Sequence, residues 1–367
     1  MQTTAAILRQ PNGPYEICQV ELDAPRADEV LVRIVAVGIC HSDVVFASGF
    51  MGNSFPLLLG HEGAGIVEAI GSGVTKVKPG DKVLLTFDSC GHCRQCASDS
   101  PAYCSEFAPL NFAAVRADGT SPVHIDGELV AARFFGQSSF ASHAIAQERN
   151  VVAVPQNADL TMLAPLGCGV QTGAGAVLNS LNAKAGGSLI VFGGGAVGLS
   201  AVMGGVIAGC STIILVEPRE DRRRIGLDLG AQHAIDPMAG DLTEAVRSIL
   251  PAGADYAVDS SGNVGVLTTA VSLLGPMGKL GMLGTPPALD SALPVPIIAA
   301  NTLGITVKGI IEGDSDPDQF LPYLVALHSE GRLNVDRFIR HYPFAQINDA
   351  MADLHSGACV KAVLLLE

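Results

Sequence analysis

Residues 188–217 constrain the chain more than any other stretch. Leu189-Ile190-Val191-Phe192 reads as a short apolar strand, Gly193-Gly194-Gly195-Ala196-Val197-Gly198 follows it, residues 199–208 continue as a helix without a charge, and residues 212–216 return to strand character. A lone G-x-G-x-x-G is weak, but here a strand precedes it and a helix follows, which is the context a dinucleotide fingerprint requires. In that motif Gly193 permits the tight turn, Gly195 lets the backbone approach a pyrophosphate, and Gly198 allows close packing of helix on strand. Ala196 and Val197 then open the helix whose N-terminus meets the anion. Glu217 stands about 20 residues beyond the loop, where an acid accepts hydrogen bonds from ribose hydroxyls and repels a 2′-phosphate. NAD is therefore expected over NADP. Arg219 is the counter-signal, and it suits equally a solvated helix start among Glu220, Asp221 and Arg222.

Further units keep the same rhythm, with helices expected over 242–250 and 264–274 and strands over 256–259 and 279–283, completing a doubly wound parallel sheet. Residues 305–311 read as one more strand, exposed at an edge and available for subunit pairing. Residues 317–329 read as a helix, and 359–366 as a terminal strand returning to the first domain. At 367 residues two domains are expected, and 16% charged residues, 48% apolar residues and 42 glycines fit a buried-sheet α/β chain rather than a disordered or coiled-coil one. A formal charge of −14 speaks against nucleic acid or an anionic membrane as partner. No basic-then-apolar leader opens residues 1–14, and no apolar run reaches the roughly 18 residues of a membrane span, so a cytoplasmic location is expected.

The first hundred residues read differently. Short alternating strands at 29–37, 65–70 and 82–85, punctuated by Gly71-Ser72-Gly73 and Pro79-Gly80-Asp81, imply an antiparallel β domain. Residues 105–133, rich in Asn, Gly, Ser and Asp, are expected to form a long surface loop covering a site. Strand character returns at 140–146 and 151–154.

Nine cysteines are an odd number for a disulfide framework, and their clustering points to metal ligation in a reducing compartment. Cys90, Cys93, Cys96 and Cys104 follow a Cys-x-x-Cys-x-x-Cys-x7-Cys spacing that lets four thiolates converge from one loop, the signature of a closed structural zinc site. An iron–sulfur cluster competes with that reading, and a disulfide pair is the bland alternative. Cys18, Cys210 and Cys359 are expected as isolated buried thiols. A second site is suggested by Cys40 and His61, because thiolate and imidazole are ligands that zinc prefers and a catalytic zinc takes three protein ligands with one open position. Asp43 and Glu62, next to them in sequence, suit carboxylates that orient such ligands. Cys168, between Gly167 and Gly169 ahead of a helical stretch, is the candidate third ligand. Taken singly, each reads as well as a buried core residue.

Cys40, the Gly60-His61-Glu62-x-x-Gly65-x5-Gly71-x-x-Val74 pattern, the four-cysteine loop, Cys168 and the loop from Gly193 to Gly198 occur in an order that resembles the zinc-dependent medium-chain alcohol dehydrogenases, over essentially the whole chain. Pro101-Ala102-Tyr103-Cys104-Ser105-Glu106-Phe107 and Phe134-Phe135-Gly136-Gln137-Ser138-Ser139-Phe140 are most similar to the NAD-dependent aryl (benzyl) alcohol dehydrogenases, with geraniol-type allylic enzymes as near relatives. The resemblance implies an α/β chain with a GroES-like antiparallel β catalytic domain over 1–169 and 311–367 and a Rossmann-fold doubly wound parallel sheet over 170–310. It implies NAD and two zincs. The catalytic zinc would be held by Cys40, His61 and Cys168 with Asp43 and Glu62 beside them, and the structural zinc by Cys90, Cys93, Cys96 and Cys104. Ser42 would hand on the alcohol proton, and His41 and Lys361 fall where basic residues meet the cofactor pyrophosphate. Thr172 and Arg222 join the cofactor contacts of the glycine loop and Glu217. Phe134, Phe135, Ser42, Met51 and Thr285 would line the substrate pocket. Where many relatives carry a histidine that ends the proton relay, this chain has Val45, which leaves His41 as the nearest candidate. A homodimer or homotetramer is implied.

The implied activity is reversible oxidation of a primary aromatic or allylic alcohol to the aldehyde. Zinc acts as a Lewis acid that lowers the pKa of the alcohol, Ser42 accepts the proton, and a hydride passes from the zinc-bound alkoxide to nicotinamide. Two rivals remain. A zinc-free quinone or enoyl reductase of the same superfamily has no use for the ligand set and the cysteine loop. A non-catalytic dinucleotide sensor with two zinc staples leaves the relay residues unexplained.

Overall fold

The protein is described by a computed structural model that covers residues 1–366. Its contacts divide it into two units, one built from Met1–Cys168, Asp316–Leu327 and the residues from Phe338 onward, the other from Gly169–Ser315 and His328–Arg337. Residues 311–315 and 328–337 therefore pack with the second unit, not with the first as the resemblance implied. The reason lies in side chains: Gln171 Nε2 donates to Glu312 Oε2 (2.9 Å), the Ser315 hydroxyl donates to Gln171 Oε1 (3.1 Å), and Arg337 pairs with Asp228 (3.0 Å).

The first unit holds two sheets. A five-stranded sheet runs in the order Leu57–Leu58, Gln2–Leu8, Tyr15–Leu22, Val123–Ile125, Glu128–Val130. The larger sheet runs Val151–Ala153, Lys82–Leu85, Glu62–Ile70, Glu29–Gly38, Lys361–Leu365, Ile339–Pro343, with His143–Gln147 also pairing to Glu29–Gly38. All its pairings are antiparallel except that of Ile339–Pro343 with Lys361–Leu365. This is the GroES-like half of the molecule. Residues 105–133, expected as an irregular loop, contain the helix Phe107–Phe112 and a hairpin of Val123–Ile125 with Glu128–Val130. The hairpin turns on Asp126-Gly127, both at positive φ (51° and 80°), and Asp-Gly at such a turn is a strong hairpin signal. Among the three isolated thiols, Cys210 and Cys359 are buried but Cys18 is only half-buried, on the strand Tyr15–Leu22.

The second unit is a six-stranded sheet in the order His233–Ile235, Thr212–Val216, Ser188–Phe192, Ala254–Asp259, Leu274–Met282, Thr306–Gly309, parallel throughout. In chain order this is the 3-2-1-4-5-6 arrangement of a Rossmann fold, whose strand order reverses between Ser188–Phe192 and Ala254–Asp259. The strand Ser188–Phe192 is buried at every position because helices cover both faces, which is why its five residues show no polar alternation. Thr306–Gly309 forms the sheet's edge.

Candidate active site

The strand register of the first unit brings candidate metal-ligating side chains together. Gly38 pairs with Glu62 across Glu29–Gly38 and Glu62–Ile70, so Cys40, two residues on, comes beside His61. A Cβ at position 38 would lie 1.9 Å from Glu62 Oε2, so glycine is what lets this carboxylate lie against the neighbouring strand. Asp43, in the first turn of the helix His41–Ala47, accepts the Cys40 N–H (2.9 Å), the Gly60 N–H (3.0 Å) and the Nδ1–H of His61 (3.1 Å). With Nδ1 engaged, the other ring nitrogen of His61 is left buried and without a hydrogen-bond partner. A donor atom from each of Cys40, His61, Cys168 and Glu62 lies within 4.8 Å of the others. An orphaned imidazole nitrogen facing two thiols is a donor set that fits zinc.

The electrostatics favour a thiolate at Cys40, which suits a metal, and a proton on His61, which a metal would have to displace. A hydrogen bond with Cys168 is the largest influence holding the Cys40 thiol well below its ordinary pKa, against the penalty of burial and with help from His61 and Lys361. Burial works against charge on His61, but Asp43 and Cys40 outweigh it and raise the imidazole well above its usual range. Burial raises Glu62 while Lys361 opposes the rise.

Lys361 departs from its expected place at the cofactor pyrophosphate. It is 2% exposed, and its ammonium donates to both Glu62 oxygens (2.8 and 2.7 Å) and to the Ile39 carbonyl (3.0 Å). The terminal strand sets this position by pairing Val363 with Gly38. An ammonium has three donors, and all three are committed to Glu62 and Ile39.

Ser42 is half-buried with its hydroxyl 3.9 Å from the Cys40 sulfur, His41 is exposed at the helix start, and Val45 follows Ser42 by three residues on the same helix. Phe134 and Phe135 are almost fully buried and wall the histidine: Phe134 meets the His61 ring edge-on (5.1 Å) and Phe135 stacks on it (4.5 Å). Phe46 packs on Phe134, and Phe107 and Phe112 pack on Phe135. None of these three rings was among the expected pocket residues, and Phe107 and Phe112 sit in the stretch expected as a loop, where two phenylalanines flanking four residues were the available signal. Met51 lies on a turn and is 40% exposed, and Thr285 is exposed in the second unit.

In the cysteine loop, the sulfurs of Cys90, Cys93, Cys96 and Cys104 lie within 4.8 Å of one another, and none of the four is in a disulfide. Backbone N–H groups point at the sulfurs: Cys93 at Cys90 (3.3 Å), Cys96 at Cys93 (3.5 Å), Cys90 and Glu106 at Cys104 (3.2 and 3.4 Å). Amides that donate to sulfur stabilise thiolates, so this loop suits a closed four-sulfur metal site.

Within the second unit, the helix Ala196–Ala208 begins at Gly195 with no side-chain cap, leaving its N-terminus available to an anion. A Cβ on Gly198 would lie 1.8 Å from the Gly193 carbonyl oxygen, so the third glycine is required by the close packing of helix on loop. Glu217 is buried, and its two oxygens accept the Gly194 N–H (2.6 Å) and the Arg219 N–H (2.9 Å). The Arg219 guanidinium lies on Asp221 (3.0 Å). Arg222 carries a buried Nε with no hydrogen-bond partner, an orphan donor that fits an anionic or polar ligand, and Thr172 is half-buried on the helix Gly169–Gly175.

Comparison with known proteins matches residues 26–156 to the alcohol dehydrogenase GroES-like domain and residues 196–328 to the zinc-binding dehydrogenase family. The chain is 44% identical over 363 residues to geraniol dehydrogenase of Castellaniella defragrans, covering 98% of this chain and 97% of that protein. Among solved structures, an alcohol dehydrogenase zinc-binding domain protein from Burkholderia ambifaria superposes with a TM-score of 0.98 at 45% identity, covering 100% of this chain and 99% of that one. Benzyl alcohol dehydrogenase from Acinetobacter calcoaceticus superposes with a TM-score of 0.96 at 36% identity, each chain covered in full.

Proposed function

This chain belongs to the zinc-dependent medium-chain alcohol dehydrogenases, and from that premise we propose that it uses NAD to oxidise a primary aromatic or allylic alcohol of the benzyl alcohol type, reversibly, to the aldehyde. Geraniol or another medium-chain primary alcohol is the second candidate substrate. The observation that carries the reading is the aromatic wall at His61, where Phe134 and Phe135 contact the ring at 5.1 and 4.5 Å. Such a wall favours a flat, unsaturated group next to the reacting carbon through offset and edge-on packing. The names of two relatives point the same way, since geraniol and benzyl alcohol both carry their hydroxymethyl group next to a π system.

In this reading Cys40, His61 and Cys168 hold one zinc, and Cys90, Cys93, Cys96 and Cys104 hold a second. When bound, the first supplies Lewis acidity to the substrate oxygen, and NAD supplies the hydride acceptor. The chain's own groups do the rest. Asp43 fixes the tautomer and orientation of His61 through Nδ1, so that the lone pair of Nε2 faces the thiols. Ser42 Oγ would receive the alcohol proton as its own hydroxyl proton passes on to a ribose hydroxyl, water or His41. The phenylalanines keep water from the reacting carbon, which strengthens every charge interaction around it. Lys361 neutralises Glu62, so the cluster is not left with an unpaired carboxylate beside two thiolates. The same reading places the enzyme in the cytoplasm as a homodimer or homotetramer, with the edge strand Thr306–Gly309 offering its backbone to a second copy.

The test is a kcat/KM series with NAD across benzyl alcohol, cinnamyl alcohol, geraniol, hexanol and ethanol. Benzyl and cinnamyl alcohols are expected at the top and ethanol at the bottom. Hexanol equal to benzyl alcohol would overturn the aromatic assignment, and no NADH formed with any alcohol would favour the sensor.

Glu217→Ala is expected to lower the NAD over NADP preference in kcat/KM by about tenfold, the equivalent of ~1.4 kcal/mol of lost discrimination. It should also raise the KM for NAD, because Glu217 holds the Gly194 and Arg219 amides. An unchanged cofactor ratio would mean that another group reads the ribose.

A further inference from the structure

We propose that Gln137 is a positioning residue that fixes the backbone of two metal ligands at once, His61 directly and Cys168 through Thr86. Gln137 is 1% exposed and its amide is saturated. Its Nε2 donates to the His61 carbonyl (2.9 Å) and to the Thr86 carbonyl (3.1 Å), and its Oε1 accepts the Gly63 N–H (3.2 Å) and the Ser139 hydroxyl. One side chain therefore grips the ligand strand at His61 and again at Gly63. Glycine at 63 is needed for that grip, since a Cβ there would lie 2.4 Å from the Ser139 hydroxyl and 3.0 Å from Gln137 Oε1.

Thr86 carries the connection onward. Its hydroxyl donates to the Gly167 carbonyl (2.7 Å), which belongs to the peptide that precedes Cys168. Cys168 needs an external hold because it lies at the end of the short 3-10 turn Ala164–Gly167 with φ −145° and ψ −80°, outside regular secondary structure. Its N–H donates to the Pro165 carbonyl at 3.5 Å. Asn150 adds a further tie by donating to the Thr86 carbonyl (3.2 Å) and to the Phe135 carbonyl (3.0 Å). A continuous hydrogen-bonded path thus runs from His61 through Gln137 and Thr86 to Gly167, joining segments far apart in sequence. Buried amides in a fully satisfied network hold their partners in one geometry, and a metal with three protein ligands is sensitive to the spacing of those ligands.

The inference rests on the assignment of a metal to Cys40, His61 and Cys168, and the experiment keeps the two apart. Zinc-loaded full-length enzyme is mixed with a chromogenic chelator and the release of metal is followed in time. Gln137→Met, of similar length but without the amide, is expected to release one class of zinc ten- to a hundredfold faster, the usual cost of deleting a partner behind a ligand, and the second class at the native rate. Thr86→Val should act in the same direction, and Thr86→Ser, which keeps the hydroxyl, should restore native release. A purely structural role would instead lower the melting temperature and speed both classes together, and that outcome overturns the proposal. So does a folded Gln137→Met that releases both at native rates. If Gln137→Met does not fold, the Thr86 pair decides alone, and equal release by Val and Ser variants overturns the proposal. Cys168→Ala is the control: two zincs retained in that variant would remove the metal assignment itself, whatever Gln137→Met does.

Discussion

Cys168→Ala is expected to bind one zinc per chain in place of two and to retain less than about 1% of native kcat/KM, because the Lewis acid contributes several kcal/mol of transition-state stabilisation. The size of the effect follows from the donor set. Removing this thiolate leaves Cys40 and His61, one short of the three protein ligands that a catalytic zinc takes. Glu62 lies within reach of the cluster, but both of its oxygens are bonded to the Lys361 ammonium, so replacing the lost ligand would mean breaking a buried ion pair. Cys40 also loses the partner that contributes most to holding its thiol low, so its pKa rises and protons compete better with metal at neutral pH. Metal analysis of the purified variant, paired with turnover, checks both halves. Full activity with two zincs would assign the third ligand elsewhere.

The parts of this molecule that were legible in the sequence are those whose constraint is local. The loop from Gly193 to Gly198 is readable because three backbone positions must be free of side chains, and Gly198 shows why with a Cβ clash against Gly193. The four cysteines are readable because the short spacings a metal would impose fall within one loop. Cys40 and His61 were readable as residue types, but the pairing of Gly38 with Glu62 that joins them belongs to the strand register, which alternation alone does not specify. Lys361 is 299 residues from Glu62 in sequence, and nothing in its neighbourhood announces a buried ammonium. Gln137 lies within the Phe134–Phe140 stretch that carries the resemblance, but nothing local there signals its role. An amide's role depends on which carbonyls the fold brings to it, and those belong to His61 and Thr86, just outside the strands Glu62–Ile70 and Lys82–Leu85. The hairpin at Asp126-Gly127 is the exception, a local signal that composition masked.

Ser42→Ala is expected to lower kcat about 100-fold or more while leaving both zincs bound, as follows when a group engaged in proton transfer is deleted. The geometry leaves few substitutes. The hydroxyl is 3.9 Å from the Cys40 sulfur, at the edge of the candidate ligand cluster. Asp43, the acid next to it, is occupied by Cys40, Gly60 and His61. Three residues on, the helix presents Val45, so no titrating side chain continues the path on that face. From Ser42 the proton must pass to a ribose hydroxyl of the cofactor, to water or to His41. His41 is exposed at the helix start. His41→Arg places a fixed cation there that cannot act as a base near neutral pH, so it should hold kcat within about tenfold and alter the KM for NAD. Val45→His should quicken oxidation chiefly at low pH, where proton removal is slowest. Measuring kcat against pH for the three variants separates the routes: if His41→Arg abolishes the pH-dependent step and Val45→His restores it, His41 is the base and Ser42 only its relay.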